Sequence, residues 1–324
     1  FIYISSQQKE TEEIWNKIVT KARTEIVPFR DVLEDIKGKI FEGTRARSHM
    51  IHAPIGSLFL LREATRANKR EDFWVLKDES TKIITAENLV TRSTVDVPKK
   101  SLQPGLRRLS GVNTIDLSEK LDFVLVDSFK GWENFFLNRD TKRIEKEMPI
   151  WRRYIEERLS RIVVAFRFDM TAKGTNLFAW YSATPMAGCG VVWNIEGLSE
   201  EDAKILSLWF NSTVYALQIY LNRVETRGAW MQFHKYVMDD LLTLHPSKLS
   251  NRNKEALLKT FEEVKDTKFP SFLKQLSDKF PTRVAIDRVV LRVLGFGDDE
   301  INRILNYLYP ALANEIQQLK TLMQ

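Results

Sequence analysis

Between Ser199 and Leu242 the chain runs from a capped, almost wholly apolar helix into a loop that mixes arginine, glycine and aromatic residues. Ser199 is an N-cap residue, and Glu200, Glu201 and Asp202 place acids in the first turn, where the helix dipole favours them. Ala203, Leu206, Phe210, Val214, Leu217 and Leu221 recur at three- and four-residue steps, so one stripe faces a core. Ile205, Leu208 and Trp209 widen that stripe until the helix must be nearly surrounded. A surrounded helix forces the rest of the chain to pack around it. It also delivers Arg223, Arg227, Trp230, His234, Lys235 and Tyr236 to its far end, a rigid support under a polar contact surface.

A chain of 324 residues has ample length for such a core, and 44% hydrophobic with 11% aromatic residues describes a globular protein. No apolar run approaches bilayer-spanning length and no signal segment opens the chain. One cysteine, Cys189, excludes an internal disulfide and a thiolate zinc cluster, so a reducing cytoplasm is the natural compartment. The first residue is Phe1 and not methionine, which leads us to expect a piece of a longer protein. Net charge is +6, unevenly spread. Between Thr44 and Arg70 lie six cations (Arg45, Arg47, Arg62, Arg66, Lys69, Arg70) against one acid, Glu63, with His49 and His52 besides. Such an excess either attracts polyanions or is answered by acids elsewhere in space.

Residues 7 to 24 read as a polar amphipathic helix ended by Pro28, and Gly43 opens the basic stretch. Strand-like runs follow at 57–61, 73–76, 82–85 and 122–126, and again at 163–168, 177–181 and 191–195. Pro104-Gly105 is a turn signal that would present Arg107 and Arg108 outward, and a helix is expected over 150–159, starting near Pro149. Strands and helices do not alternate regularly, so the fold class is α+β, a mixed sheet followed by a helical C-terminal extension. After Leu249 helical periodicity dominates, with one apolar stripe at Ile286, Val289, Val290, Val293 and Leu294 and another at Ile301, Ile304, Leu305 and Leu308. We place a helical lead-in at 1–30, the main domain at 31–250 and the extension at 251–324.

The run LSLWFNSTVYALQIYLNRVETRGAWMQFHKYVMDDLLTLHP resembles the helix-and-loop signature near the end of target-recognition regions in adenine-specific DNA methyltransferases, including fused restriction–methylation enzymes. Type I specificity subunits are more distant relatives. The segments PGLRRLSG before NTIDLS, WRRYIEERL before RFD, and GTNLFAWYS before PMA continue the resemblance over roughly residues 30 to 250. The resemblance implies recognition of double-stranded DNA, beside an upstream methyltransferase domain in the parent chain that would bind S-adenosylmethionine. This chain carries no methylation site of its own to match. It has no Pro-Pro pair for the Asp/Asn-Pro-Pro-aromatic loop, and Gly295-Phe296-Gly297 and Gly188-Cys189-Gly190 read as turns. No cofactor is therefore expected in this piece.

Arginine can pair with guanine edges or bridge phosphates, and asparagine can read adenine. Our candidates for DNA contact are Arg45, Arg47, Arg107, Arg108, Asn113, Arg223, Arg227, Trp230, Lys235 and Tyr236, each beside glycine, proline or aromatic residues in an expected loop. Arg152, Arg153, Arg158 and Arg161 have Glu156 and Glu157 at helical spacing and are assigned first to a charged helix face. Two rival readings remain. The apolar helices could serve a protein-interaction scaffold, and Asp78-Glu79 with Lys82 has the residue types of a metal-dependent nuclease, although a charged hairpin accounts for them more simply. His49 and His52 lack a third ligand, and Cys189 lacks a neighbouring base.

Overall fold

The computed structural model describes residues 6–22, 24–67, 74–109, 111–136, 139–222 and 230–321. In chain order its elements are α1 (Ser6–Lys21), β1 (Ile26–Pro28), α2 (Phe29–Asp35), β2 (Lys39–Glu42), β3 (Phe59–Leu60), β4 (Trp74–Glu79), β5 (Ile83–Asn88), β6 (Thr94–Pro98), β7 (Leu102–Leu106) and β8 (Asp122–Leu125). Then come α3 (Thr141–Glu156), β9 (Leu159–Ala165), β10 (Arg167–Asp169), β11 (Ala179–Gly188), β12 (Val192–Glu196), α4 (Glu200–Phe210) and α5 (Thr213–Leu221). The chain finishes with β13 (Trp230–Gln232), α6 (Lys235–Asp240), β14 (Leu242–Leu244), α7 (Asn251–Val264), α8 (Phe272–Ser277), α9 (Pro281–Val293) and α10 (Asp298–Thr321). The class is α+β, as the irregular alternation of periods implies.

A seven-stranded sheet runs β2-β12-β9-β11-β7-β8-β3. Its β11–β7 pair is parallel and the other pairs are antiparallel. A meander β4-β5-β6 stands beside it, and two short pairs, β1-β14 and β10-β13, fasten distant segments together. Two buried clusters flank this framework. The larger joins β9, β11 and β12 to α1, α4, α5 and α7 to α10. The smaller packs Ile144, Met148, Trp151 and Ile155 of α3, together with Trp132, Phe135 and Phe136, against β8 and the meander.

The surrounded helix is two helices. Asn211 ends α4, and Ser212 starts α5 by accepting a hydrogen bond from the Tyr215 backbone N–H (3.1 Å). Two polar residues can break an apolar rod only if their groups are satisfied, and they are. Asn211 Oδ1 accepts from the backbone N–H groups of Phe178 (2.8 Å) and Ala179 (3.2 Å), while its Nδ2 donates to the carbonyls of Ala179 and Ser207. The break thereby welds the helix pair to β11.

Two local expectations are corrected. The helix expected from Pro149 begins eight residues earlier, at Thr141, where the Asp140 side chain accepts from the Arg143 N–H. Pro149 and Glu145 are exposed, so water can satisfy the Glu145 carbonyl that proline leaves without a helical donor. Pro104-Gly105 is not a turn but lies inside β7. The ladder to β11 begins only at Gly105, so Pro104 faces no donor demand on that side. A Cβ on Gly105 would stand 3.0 Å from the Phe59 ring. As a result Arg107 points inward, not outward: it is buried, its backbone N–H donates to Asp122 Oδ2 (2.9 Å), and its guanidinium lies over Phe59.

The C-terminal helices are knit into the same core as the sheet. Asp287 of α9 accepts from the Thr213 N–H (2.6 Å) and hydroxyl (2.5 Å) and from Tyr309 Oη (2.7 Å), which joins α5, α9 and α10 in one buried node. Both apolar stripes after residue 280 are spent inside this core, since Ile286, Val289, Val290, Val293, Ile301, Ile304 and Leu308 are all buried there.

Candidate nucleic-acid interface

The loop after β2 is positioned by two glycines. A Cβ on Gly43 would stand 2.5 Å from the Gly190 carbonyl oxygen, so only glycine lets the two backbones meet this closely. Gly43 N–H donates to the Val192 carbonyl and Thr44 N–H to the Gly188 carbonyl, each at 2.7 Å, and the buried Cys189 thiol donates to the Thr44 carbonyl (2.9 Å). Gly188-Cys189-Gly190 is thus a clasp. Beyond it Arg45 and Arg47 emerge, both exposed, sharing the Glu42 carboxylate at 2.8 and 3.5 Å. Ion pairs this exposed stabilise little, so both guanidinium groups can exchange Glu42 for an incoming anion at small cost.

Helix α3 runs alongside this loop. Tyr154 Oη accepts from the Arg45 backbone N–H (3.4 Å), and Arg158 sits over the rings of Tyr154 (3.5 Å) and Phe41 (5.0 Å). Nearby, Glu147 accepts from the His52 backbone N–H (2.6 Å), the His52 ring Nδ1 (2.6 Å) and Arg143 Nε (3.1 Å), and a second Arg143 nitrogen reaches His52 Nε2. Burial raises the Glu147 carboxyl, but these donors outweigh it and hold the group below its ordinary value. Lys142, Lys146 and Arg153 line the outer, solvent face of the same helix. In the sequence Arg158 is assigned first to a charged helix face with Glu156 and Glu157, and Arg143 carries no expectation. The fold stacks Arg158 on Tyr154, whose hydroxyl meets the Arg45 backbone, and sets Arg143 farther along α3 on Glu147 and His52.

The edge strand β2 carries the cationic surface onward. A cleft of about 440 Å³ is lined by four cations, Arg30, Lys37, Lys39 and Lys235, against two acids, Glu34 and Asp239, with Phe41 among its apolar residues. Helix α6 forms one wall, with Lys235 paired to Asp239 at 3.0 Å and Arg30 reaching Asp240. Tyr236 is exposed and stacks on His234 at 5.6 Å. Trp230, 45% exposed, lies on β13 with the Arg167 guanidinium 5.5 Å from its ring. Phe41 of β2 is shared by the Arg158 stack beside the Arg45 backbone and by the cleft that holds Lys39 and Lys235, which makes these cations a belt around β2, while Tyr236 lines a separate cleft with Trp15 and Asp240.

Other candidates lie elsewhere. Arg107 is buried, as described. Arg108 is half-buried, and its carbonyl accepts from Arg66 (2.8 Å). Asn113 is half-buried, and its carbonyl accepts from the Phe269 N–H (2.8 Å). Arg223 and Arg227 lie outside the described residues. The basic window is partly answered internally. Arg66 is buried and bidentate on Asp122 (3.0 and 2.9 Å), and Arg62 donates to the Leu121 carbonyl and pairs with Glu79. Burial pushes the Asp122 carboxyl up, opposed by Arg66 and by the backbone N–H groups of Arg107 and Arg62.

The Asp78-Glu79 pair sits in the β4-β5 hairpin. Lys99 (2.7 Å) and Arg62 (3.2 Å) hold Glu79 below its ordinary value, against the effect of burial. Among the described residues no group of three or more His, Cys, Asp or Glu side chains is placed to hold a metal ion, and no helix is long and apolar enough to cross a membrane.

No protein-family model matches the sequence, and no curated protein shows significant similarity to it. Among solved structures, the type IIG restriction endonuclease BpuSI matches over 99% of this chain and 34% of its own, with a TM-score of 0.63 at 13% identity. The chain spans about a third of that enzyme's length. At this identity the likeness is one of fold: the chain is folded like a segment of a type IIG restriction–modification enzyme.

Proposed function

We propose that this chain is the sequence-specific DNA recognition module of an adenine-specific DNA methyltransferase or fused restriction–modification enzyme, and performs no chemistry itself. The observation that carries this reading is the shared fold with a restriction endonuclease over 99% of the chain, since such an enzyme must locate a DNA sequence before it acts. The belt of cations around β2, Arg45 and Arg47 after it and Lys39 and Lys235 at the cleft beside it, supports it. In this reading, Lys39 and Lys235 neutralise phosphates and fix the register on the duplex, while Arg45 and Arg47 of the 43–47 loop and side chains around Trp230 read base edges. S-adenosylmethionine and the methyl transfer belong to an upstream domain of the parent enzyme. That domain would receive the adenine once this module has set its position.

The direct test is duplex-binding titration of Arg45→Ala combined with Arg47→Ala. Both side chains are exposed, so the variant should melt as the wild type does while losing more than about 1 kcal/mol of DNA affinity. An unchanged affinity at equal stability would remove the belt from the interface.

A further inference from the structure

A second cationic surface lies far along the chain from the belt, in the helical C-terminal part. Helices α7 and α9 pack side by side and leave a groove of about 800 Å³. Arg252 and Lys259 stand on its α7 wall, Arg288 and Arg292 on its α9 wall, and Glu263 is the acid among the lining residues. Arg292 is held by Asp298 (2.8 Å) and Arg288 reaches Asn302, but Arg252 and Lys259 make no ion pair among the described residues.

The placement of these charges works against stability. Helix α7 has no acid in its first turn; it has Arg252 and Lys254 there, adding positive charge to the positive end of the dipole. Acids are the stabilising choice at such a position, and α4 of this same chain uses three. Arg252 and Lys259, which make no ion pair among the described residues, leave positive charge along the groove that favours an anionic partner.

The groove also indicates which kind of anion. Its cations form two rows and not one focus: Arg252 and Lys259 are seven residues apart, about 10 Å along a helix axis, and Arg288 and Arg292 four apart, about 6 Å. Rows suit a repeating polyanion. Its apolar floor (Val289, Val293 and Phe296) is buried, so a docking peptide finds no exposed apolar anchor of the sort that carries protein interfaces.

We propose that the α7/α9 groove grips the phosphodiester backbone of duplex DNA without reading sequence, alongside the recognised site. This rests on the recognition reading above and adds a second, sequence-independent contact.

The test is fluorescence anisotropy of the full chain with a randomised duplex across a salt series. Arg252→Ala with Lys259→Ala is compared with a charge-matched control, Lys82→Ala with Lys130→Ala. Loss of two phosphate contacts should make the slope of log affinity against log salt shallower by about 1.8. The control should keep the wild-type slope, and both variants should enrich the same motif as the wild type. A groove variant with the wild-type slope, or a control that loses as much, overturns the proposal. Normal DNA binding by a groove variant that no longer binds a poly-glutamate peptide overturns it in favour of an acidic protein segment. The two readings fail separately. Groove-dependent binding that enriches no motif sinks recognition and keeps the groove, while motif enrichment with a groove-independent slope does the reverse.

Discussion

Single side chains in this protein do work that spans the fold. Asn211 satisfies two strand N–H groups and two carbonyls at the break between α4 and α5. Asn211→Ala strands several of those buried groups without partners, at 1–3 kcal/mol each. The loss in a urea titration should therefore reach about 3 kcal/mol or more, and a loss under about 1 kcal/mol would show that water enters and replaces the amide. Glu147 makes a different prediction. Its carboxyl is held below the ordinary value of 4.5 in the folded chain. The stabilisation it gives is therefore present above that pH and is lost as pH falls through the depressed folded value. In thermal melts between pH 3 and 6, Glu147→Gln should flatten the acid limb, and a limb identical to the wild type's would place the proton uptake elsewhere. The candidate site divides along the same line. Exposed Arg45, Arg47 and Lys235 could be picked out from composition beside glycine or aromatic residues. The burial of Arg107 could not, because Asp122 holds its backbone and Phe59 lies under its guanidinium, partners that only the folded sheet brings near.

At the scale of elements, periodicity located most helices and strands and misjudged their punctuation. Local rules read Pro104-Gly105 as a turn, whereas proline fits because the β11 ladder starts one residue later and glycine because a Phe59 ring comes close. Pro149 looked like a helix start because nothing in its own neighbourhood reveals that its turn faces water. The α4–α5 break was invisible because Asn211 and Ser212 are bonded to partners that only the fold supplies. One element carries a prediction for the site. The 43–47 loop is seated by contact between Gly43 and Gly190, and a methyl group at Gly43 meets the Gly190 backbone at 2.5 and 2.9 Å. Gly43→Ala should cost about 1–3 kcal/mol of stability. It should also shift Arg45 and Arg47 enough to weaken duplex binding at temperatures where the variant remains folded. Binding equal to the wild type's would show that the clasp supports the fold and not the interface.

On the scale of the whole molecule, the helices after residue 250 belong to the same buried cluster as β9, β11 and β12. The Asp287 node ties three helices across that cluster. The full chain should therefore lose near- and far-ultraviolet circular dichroism in one coincident transition, and a chain ending at Ser250 should fail to unfold cooperatively. Two separated transitions would make the helical part an independent unit. A core shared from the sheet to the last helix would hold the proposed recognition surface in one register on the duplex. The proposed role of this surface is to select a DNA sequence. The most direct measurement is retention of a randomised duplex pool by the full chain at low and at physiological salt, with sequencing of what is retained. Binding should weaken steeply as salt rises and enrich one short motif. Retention with no enrichment, or none even at low salt, would contradict that role.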